Sequence, residues 1–134
     1  MNFRSDNTAS AAPEMLAALT AVNTTPAPAY GDDAWSRRLD EAFSDLFECD
    51  VRVFTVASGT AANAISLASV TPPWGAVLCH REAHIECDEC GAPEFFTNGA
   101  KLVLLDGVGA KITPDALREG AARKFNLDFY CKAF

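Results

Sequence analysis

The sequence predicts an α/β fold with a parallel sheet, and three observations lead to this prediction. A β-branched and aromatic segment at residues 51–56 is typical of a partly buried strand. Two shorter apolar segments, residues 76–79 and 101–105, indicate two further strands. Stretches with helical periodicity separate these segments, and such alternation favours βαβ crossovers between parallel strands.

Composition limits the classes of protein to which the chain can belong. Its 134 residues predict one domain, and 49% hydrophobic with 22% charged residues is typical of a globular protein. No apolar run is long enough for a membrane span, and the N-terminus lacks the pattern of a secretory signal, so we expect a cytoplasmic protein without a membrane partner. The net charge of −7 argues against nucleic acid as a partner.

Two helices are predicted in the first part of the chain, after a polar and extended start. Pro13–Val22 has proline in its first turn and Glu14 where the helix dipole favours an acidic side chain. The loop at residues 23–33 is rich in turn-forming residues and ends in two aspartates, one of which caps the helix Ala34–Phe47. This second helix has an apolar stripe, which we expect to lie against a sheet. The stripe consists of Trp35, Leu39, Ala42, Phe43 and Leu46.

The centre of the chain reads as a strand, a tight turn and a helix. Residues 51–56 form the strand, Ser58-Gly59-Thr60 the turn, and the helix follows from Ala61. The first N–H groups of a helix have no intrahelical partner and lie at the positive end of its dipole, so they suit an anion. The hydroxyls of the turn and its glycine favour a phosphate group. For the isolated sequence Ser58-Gly59-Thr60, an ordinary helix cap by Ser58 is the more frequent interpretation.

The remaining elements alternate in the same way. The strand at residues 76–79 leads into a polar, cysteine-rich segment at 80–91, which we interpret as a loop and a short helix. The strand at 101–105 follows, and Thr113 caps a last helix that ends near residue 123. Both the turn around Gly59 and His84 are predicted to lie just beyond the carboxyl ends of strands, where ligands bind in α/β sheets.

Histidine and cysteine side chains cluster in one short segment. His80, His84, Cys87 and Cys90 lie within eleven residues, and all are possible zinc ligands. A small zinc-binding module is therefore an alternative hypothesis, although the usual long loop between the ligand pairs is missing. The chain has five cysteines and no secretion signal, which favours reduced thiols over disulfides.

Four short motifs occur in the order and spacing of one enzyme family. They are Arg4-Ser5-Asp6-Asn7, Tyr30-Gly31-Asp32-Asp33, Ser58-Gly59-Thr60-Ala61-Ala62-Asn63, and Ala83-His84-Ile85 with Glu89 and Gly91-Ala92. Together they make the chain resemble the low-specificity L-threonine aldolases. These enzymes belong to the β-eliminating lyase group of fold-type I enzymes, which use pyridoxal 5′-phosphate (PLP).

The resemblance also implies where the chain fits in such an enzyme. It covers residues 2–123, which correspond to about the amino-terminal third of a family member by motif order. The expected fold is therefore the amino-terminal part of a PLP-binding large domain, a three-layer sandwich whose sheet is incomplete here. Residues 124–134 do not resemble the family and are predicted to be a separate tail.

Several residues receive roles from the resemblance. Ser58, Gly59 and Thr60 correspond to the loop that holds the cofactor phosphate, and His84 to the imidazole that stacks on the pyridine ring and is a candidate base toward the substrate hydroxyl. Ser5 resembles a serine that contacts the substrate carboxylate.

Two further residues keep alternatives. Tyr30 resembles a residue near the cofactor and substrate, often supplied by a neighbouring subunit, but a loop aromatic that packs on the core is an equal interpretation. Glu89 is expected either to orient His84 or a neighbouring residue, or to lie on a solvated helix face.

The resemblance implies reversible cleavage of threonine or allo-threonine to glycine and acetaldehyde, by a homodimer or homotetramer acting on a small amino acid. The family's Schiff-base lysine corresponds to none of the four lysines, Lys101, Lys111, Lys124 and Lys132. The aspartate that faces the pyridine nitrogen and the arginines that bind the substrate carboxylate also have no counterpart in the sequence. We therefore expect a truncated and inactive form of the enzyme.

Overall fold

The computed structural model describes residues 8–124, with side chains described up to residue 122. The chain divides into two compact units, one ending at Phe54 and one beginning at Thr55. Ser5 and residues 125–134 of the predicted tail lie outside the described part, so the predictions made for them remain predictions.

The first unit contains two helices, α1 (Pro13–Val22) and α2 (Ala34–Phe47), with the predicted bounds. Asp33 caps α2: its Oδ1 accepts hydrogen bonds from the N–H groups of Trp35, at 2.8 Å, and Ser36, at 2.9 Å. Its Oδ2 accepts a third from the hydroxyl of Ser36 at 2.6 Å. Of the two aspartates predicted as possible caps, Asp32 and Asp33, it is Asp33 that caps α2.

Within the described residues of the first unit, no sheet covers the apolar stripe of α2, so its predicted packing against a sheet stays a prediction. Residues 8–54 contain no strand, and Trp35 and Leu46 are 53% and 70% exposed. Helical periodicity shows which face of a helix is apolar, but it does not show what covers that face.

The strand predicted at residues 51–56 does not form, and this prediction is wrong. The N–H of Val53 donates to Asp40 Oδ1 at 2.8 Å, and the N–H of Val51 donates to Ser44 Oγ at 3.1 Å. These N–H groups therefore bond to side chains of α2, and no neighbouring strand pairs with the segment in the described part of the chain. Strand propensity indicates an extended backbone, whereas a strand also needs a partner.

The second unit alternates helices and strands, as the predicted α/β fold requires. Its elements are α3 (Gly59–Val70), β1 (Ala76–His80), α4 (His84–Cys87), α5 (Ala92–Phe96), β2 (Lys101–Leu105), a 3-10 turn (Val108–Ala110) and α6 (Pro114–Lys124). The two strands pair in parallel, with Ala76 opposite Lys101 and His80 opposite Leu105. A small parallel sheet is thus present, with α4 and α5 in the connection between its strands.

Small residues lie where helices of the second unit make their contacts. α3 packs against α5, and α6 packs against both strands. Ala64 of α3 and Gly120 of α6 are buried. A Cβ on Gly120 would lie 2.5 Å from Leu105 Cδ2 and 3.1 Å from Leu78 Cδ2, so a larger residue at this position would require these leucine side chains to shift. Among residues 8–124, no helix is long and apolar enough to cross a membrane.

Two contacts join the segment that follows β1 to the segment that follows β2. His80, at the end of β1 and buried, accepts a hydrogen bond at Nδ1 from the N–H of Glu82 at 3.1 Å. In the neutral ring the proton is therefore on Nε2, which donates a hydrogen bond to the carbonyl oxygen of Gly107, also at 3.1 Å. Next to it Arg81 forms an ion pair with Asp106, and the hydrogen bond and charge of Arg81 lower the pKa of that carboxyl.

Candidate functional site

The N-terminus of α3 has the features of an anion site. Ser58 caps the helix: its Oγ accepts from the N–H of Ala61 at 3.2 Å, and its carbonyl oxygen accepts from the N–H of Ala62 at 3.1 Å. The N–H groups of Gly59 and Thr60 have no partner among residues 8–124. A Cβ on Gly59 would meet no atom within 4 Å, so the approach to these groups is open. Two free donors at the positive end of a twelve-residue helix can bind a phosphate group.

Glu89 is the centre of a hydrogen-bonded cluster that we call the Glu89 cluster, formed by Asn63, His84 and Glu89. Its Oε1 accepts from Asn63 Nδ2 at 2.6 Å and contacts His84 Nδ1 at 2.8 Å. The Glu89 side chain is 0% exposed, whereas that of His84 is 64% exposed. A buried carboxylate thus holds one edge of an imidazole whose remaining surface is accessible.

This cluster connects the predicted phosphate turn with the predicted catalytic histidine. Asn63 follows Ser58 by five residues on α3, a distance of about 7.5 Å along the helix axis. Asn63, in the second turn of α3, and His84 contact the same oxygen of Glu89. His84 therefore lies close to the N-terminal part of α3. The structure therefore places these candidate residues in one region.

Asn63 is a member of this region that sequence reasoning missed as a site residue. It stands inside the motif that begins at Ser58, where it is a polar side chain in a helix of mostly small and apolar residues. This contrast in polarity is the sequence feature that could have identified Asn63 as a candidate site residue. For Glu89, the interpretation as a solvated helix face is wrong, because its side chain is fully buried. Its contact with His84 is present, and its part in the chemistry stays a prediction.

Tyr30 belongs to the first unit, and its side chain is fully exposed in a loop. The alternative interpretation, an aromatic packed on the core, is therefore wrong for this residue. Its backbone has φ of 63°, a left-handed conformation that non-glycine residues adopt rarely. Its predicted role near the cofactor and substrate remains a prediction.

The zinc hypothesis finds no support in the geometry. Both ring nitrogens of His80 already make hydrogen bonds inside the protein, and the thiol of Cys87 donates to the carbonyl oxygen of Arg81 at 3.3 Å. Within residues 8–124, no three His, Cys, Asp or Glu side chains are grouped so that they could hold a metal ion. The four cysteines in this range are free, and burial raises the pKa of the Cys79 thiol.

The family model of the beta-eliminating lyases matches residues 2–128, almost the whole chain. The chain belongs to the beta-eliminating lyase family. Among its curated relatives, the low specificity L-threonine aldolase of Pseudomonas sp. (strain NCIMB 10558) is 43% identical over 127 residues. The enzyme of the same name from Pseudomonas aeruginosa is 42% identical over 127 residues. Each alignment covers 95% of this chain but only 37% of the relative.

A solved structure shows the same fold. The threonine aldolase of Leishmania major superposes with a TM-score of 0.79 at 24% identity, over 86% of this chain and 33% of that one. The predicted fold class, an α/β fold of the fold-type I enzymes with an incomplete sheet, is thereby confirmed.

The beta-eliminating lyase family implies PLP as cofactor, and the residues present fit its phosphate end. The N–H groups of Gly59 and Thr60, which are free among the described residues, suit the phosphate, and the open space beside Gly59 leaves the approach to them clear. The hydroxyls of Ser58 and Thr60 can donate further hydrogen bonds.

Proposed function

We propose that this chain is part of a PLP-dependent lyase that cleaves β-hydroxy-α-amino acids, such as threonine or allo-threonine, to glycine and an aldehyde. The observation on which this rests most is that the Glu89 cluster joins an open helix N-terminus to an accessible imidazole. The two Pseudomonas relatives, both named low specificity L-threonine aldolase, support the reaction. The chain spans about a third of their length, so the activity of the whole enzyme is the proposal.

In this proposal each candidate residue has a distinct task. The N–H groups of Gly59 and Thr60 and the hydroxyls of Ser58 and Thr60 hold the phosphate. His84 stacks on the cofactor ring and accepts the proton of the substrate hydroxyl, while Ser5 and Tyr30 contact the substrate. PLP, when bound, supplies the electron sink that makes cleavage of the Cα–Cβ bond possible.

The proposal includes a cytoplasmic homo-oligomer. Several large apolar side chains are more than two-thirds exposed in the described part of the chain, which supports association with further protein surface. They include Leu46, Phe54, Val70 and Phe95, at 70%, 82%, 77% and 76%. We also propose that the 134 residues on their own are inactive, because none of their lysines corresponds to the Schiff-base lysine.

A binding experiment on the chain tests the phosphate site. We expect PLP and pyridoxine 5′-phosphate to shift the backbone amide NMR signals of Gly59 and Thr60, whereas pyridoxal, which lacks the phosphate, leaves them unchanged. Gly59→Ala should abolish the shifts without loss of fold, because the added methyl group meets no protein atom yet occupies the approach to the free N–H groups.

The matched control is Ser69→Ala, which removes a hydroxyl near the other end of α3. This variant should bind the phosphate compounds as the parent chain does. If Gly59→Ala binds them with unchanged affinity, or if the shifts occur elsewhere in the chain, the phosphate site is not at the N-terminus of α3.

A further inference from the structure

We propose that Asn63 and Glu89 are positioning residues that fix the tautomer of His84, so that Nδ1 carries the ring proton and Nε2 is the atom that exchanges a proton with substrate. The inference deepens the function proposed above and rests on it for the identity of the substrate. The tautomer itself is a property of the chain without any ligand.

The hydrogen-bond pattern dictates this tautomer. An ionised carboxylate only accepts hydrogen bonds, so the 2.8 Å contact between Glu89 Oε1 and His84 Nδ1 requires a proton on Nδ1. In the neutral ring the lone pair then lies on Nε2, which has no partner among residues 8–124. The accessible nitrogen of a 64% exposed side chain is therefore the one that can act as a base.

Asn63 fixes the carboxylate in turn. Its side-chain amide donates to the same Oε1 at 2.6 Å, from a helix that packs against α5 just after Glu89. This contact selects which oxygen faces the imidazole. The arrangement resembles the general logic of a catalytic triad, in which a buried carboxylate orients an imidazole and stabilises the imidazolium that forms.

The position of Glu89 is costly for stability, which argues for a functional purpose. Its side chain is fully buried, and Oε2 has no hydrogen-bond partner within the part of the chain that the structure describes. A buried carboxylate with an unpartnered oxygen is destabilising compared with an apolar side chain of the same size. Orientation of His84 is a purpose that the contacts of Oε1 explain.

The tautomer has a direct chemical consequence. The hydroxyl proton of the substrate passes to Nε2 with the ring electron pair forming the new N–H bond, and the oxygen keeps the electrons of its former O–H bond. The resulting imidazolium donates from Nδ1 to the Glu89 carboxylate, so its positive charge is balanced by a negative charge at hydrogen-bond distance.

Long-range ¹⁵N–¹H NMR of the two imidazoles tests the inference in the intact chain, at a pH where both rings are neutral. We expect His84 to be protonated on Nδ1 and His80 on Nε2, because His80 accepts at Nδ1 from Glu82 and donates to Gly107. These are the chain's only histidines, so each serves as the reference for the other. A wild-type His84 with its proton on Nε2 overturns the proposal.

Glu89→Met then tests the cause, because it removes both acceptor oxygens while keeping an unbranched buried side chain. The Nδ1–H form of His84 should give way to the Nε2–H form, with the His80 signature unchanged as proof of fold. The exposed Glu86, which lies in α4 together with His84, provides the control Glu86→Met, which should alter neither ring. An unchanged His84 tautomer in folded Glu89→Met contradicts the proposal.

If Glu89→Met does not fold, Asn63→Ala replaces it. This change removes an exposed side chain and should lower the Nδ1–H fraction of His84. An unchanged Nδ1–H fraction of His84 would show that Asn63 is not a positioning residue. A chain with the expected tautomers that fails to bind PLP would refute the proposed function and leave the positioning intact.

Discussion

Gly107 lies where the neighbouring backbone leaves no room for a side chain. Its carbonyl oxygen accepts the hydrogen bond from His80, which ties the segment after β2 to the end of β1. A Cβ at this position would lie 1.9 Å from the carbonyl oxygen of Lys111 and 2.7 Å from its carbonyl carbon. These are backbone atoms that cannot rotate away, so the loop between β2 and α6 would have to move.

Gly107→Ala is therefore expected to destabilise the chain by at least the ~1–3 kcal/mol typical of overpacking. Urea unfolding followed by circular dichroism measures this change. Gly59→Ala is the matched control, because the same methyl group there meets no atom within 4 Å and the midpoint should change little. Equal midpoints for the two variants would show that the close approach at Gly107 is not a constraint.

Among the elements, α2 shows most clearly how a local cap depends on pH. The pKa of Asp33 lies below its ordinary value of 3.8, chiefly because the Ser36 hydroxyl donates to the carboxylate and secondly because of the N–H of Ser36. A lowered pKa in the folded state means that the ionised cap stabilises the chain above the ordinary value. This stabilisation is lost as the pH falls through the lower, folded-state pKa.

Helix content measured by circular dichroism should therefore fall below pH 3.8 more steeply in the wild type than in Asp33→Asn. Asparagine still caps the helix but has no carboxylate to titrate. Asp32→Asn removes the neighbouring carboxylate, which does not cap α2, and should retain the wild-type profile. Identical acid profiles for the wild type and Asp33→Asn would contradict this account of the cap.

The same elements show what the sequence could predict and what it could not. The caps Asp33, Ser58 and Thr113 were predicted because a cap is a contact over two or three residues. The strand at 51–56 was predicted wrongly because a local sequence pattern does not show whether a second strand is present to pair with it. The contact between Asn63 and Glu89 spans 26 residues, so no local spacing reveals it. Short-range signals thus gave the elements, and the contacts between elements define the candidate site.

On the scale of the whole molecule, we propose that this chain supplies the phosphate turn and the imidazole of a PLP-dependent lyase. The chain aligns with 37% of the Pseudomonas sp. low specificity L-threonine aldolase, and the larger part of that enzyme has no counterpart here. A chimera can therefore supply the missing part. In it, the aligned 127 residues of the Pseudomonas enzyme are replaced by those of this chain.

The decisive measurement is the release of acetaldehyde from threonine by this chimera in the presence of PLP, with the 134-residue chain alone assayed beside it. We predict turnover by an oligomeric chimera, none by the chain alone, and a decrease in kcat on the order of 10²- to 10⁴-fold for His84→Phe, which keeps a ring for stacking but removes the base. A folded, oligomeric chimera that binds PLP without cleaving threonine would contradict the account, as would turnover by the isolated chain.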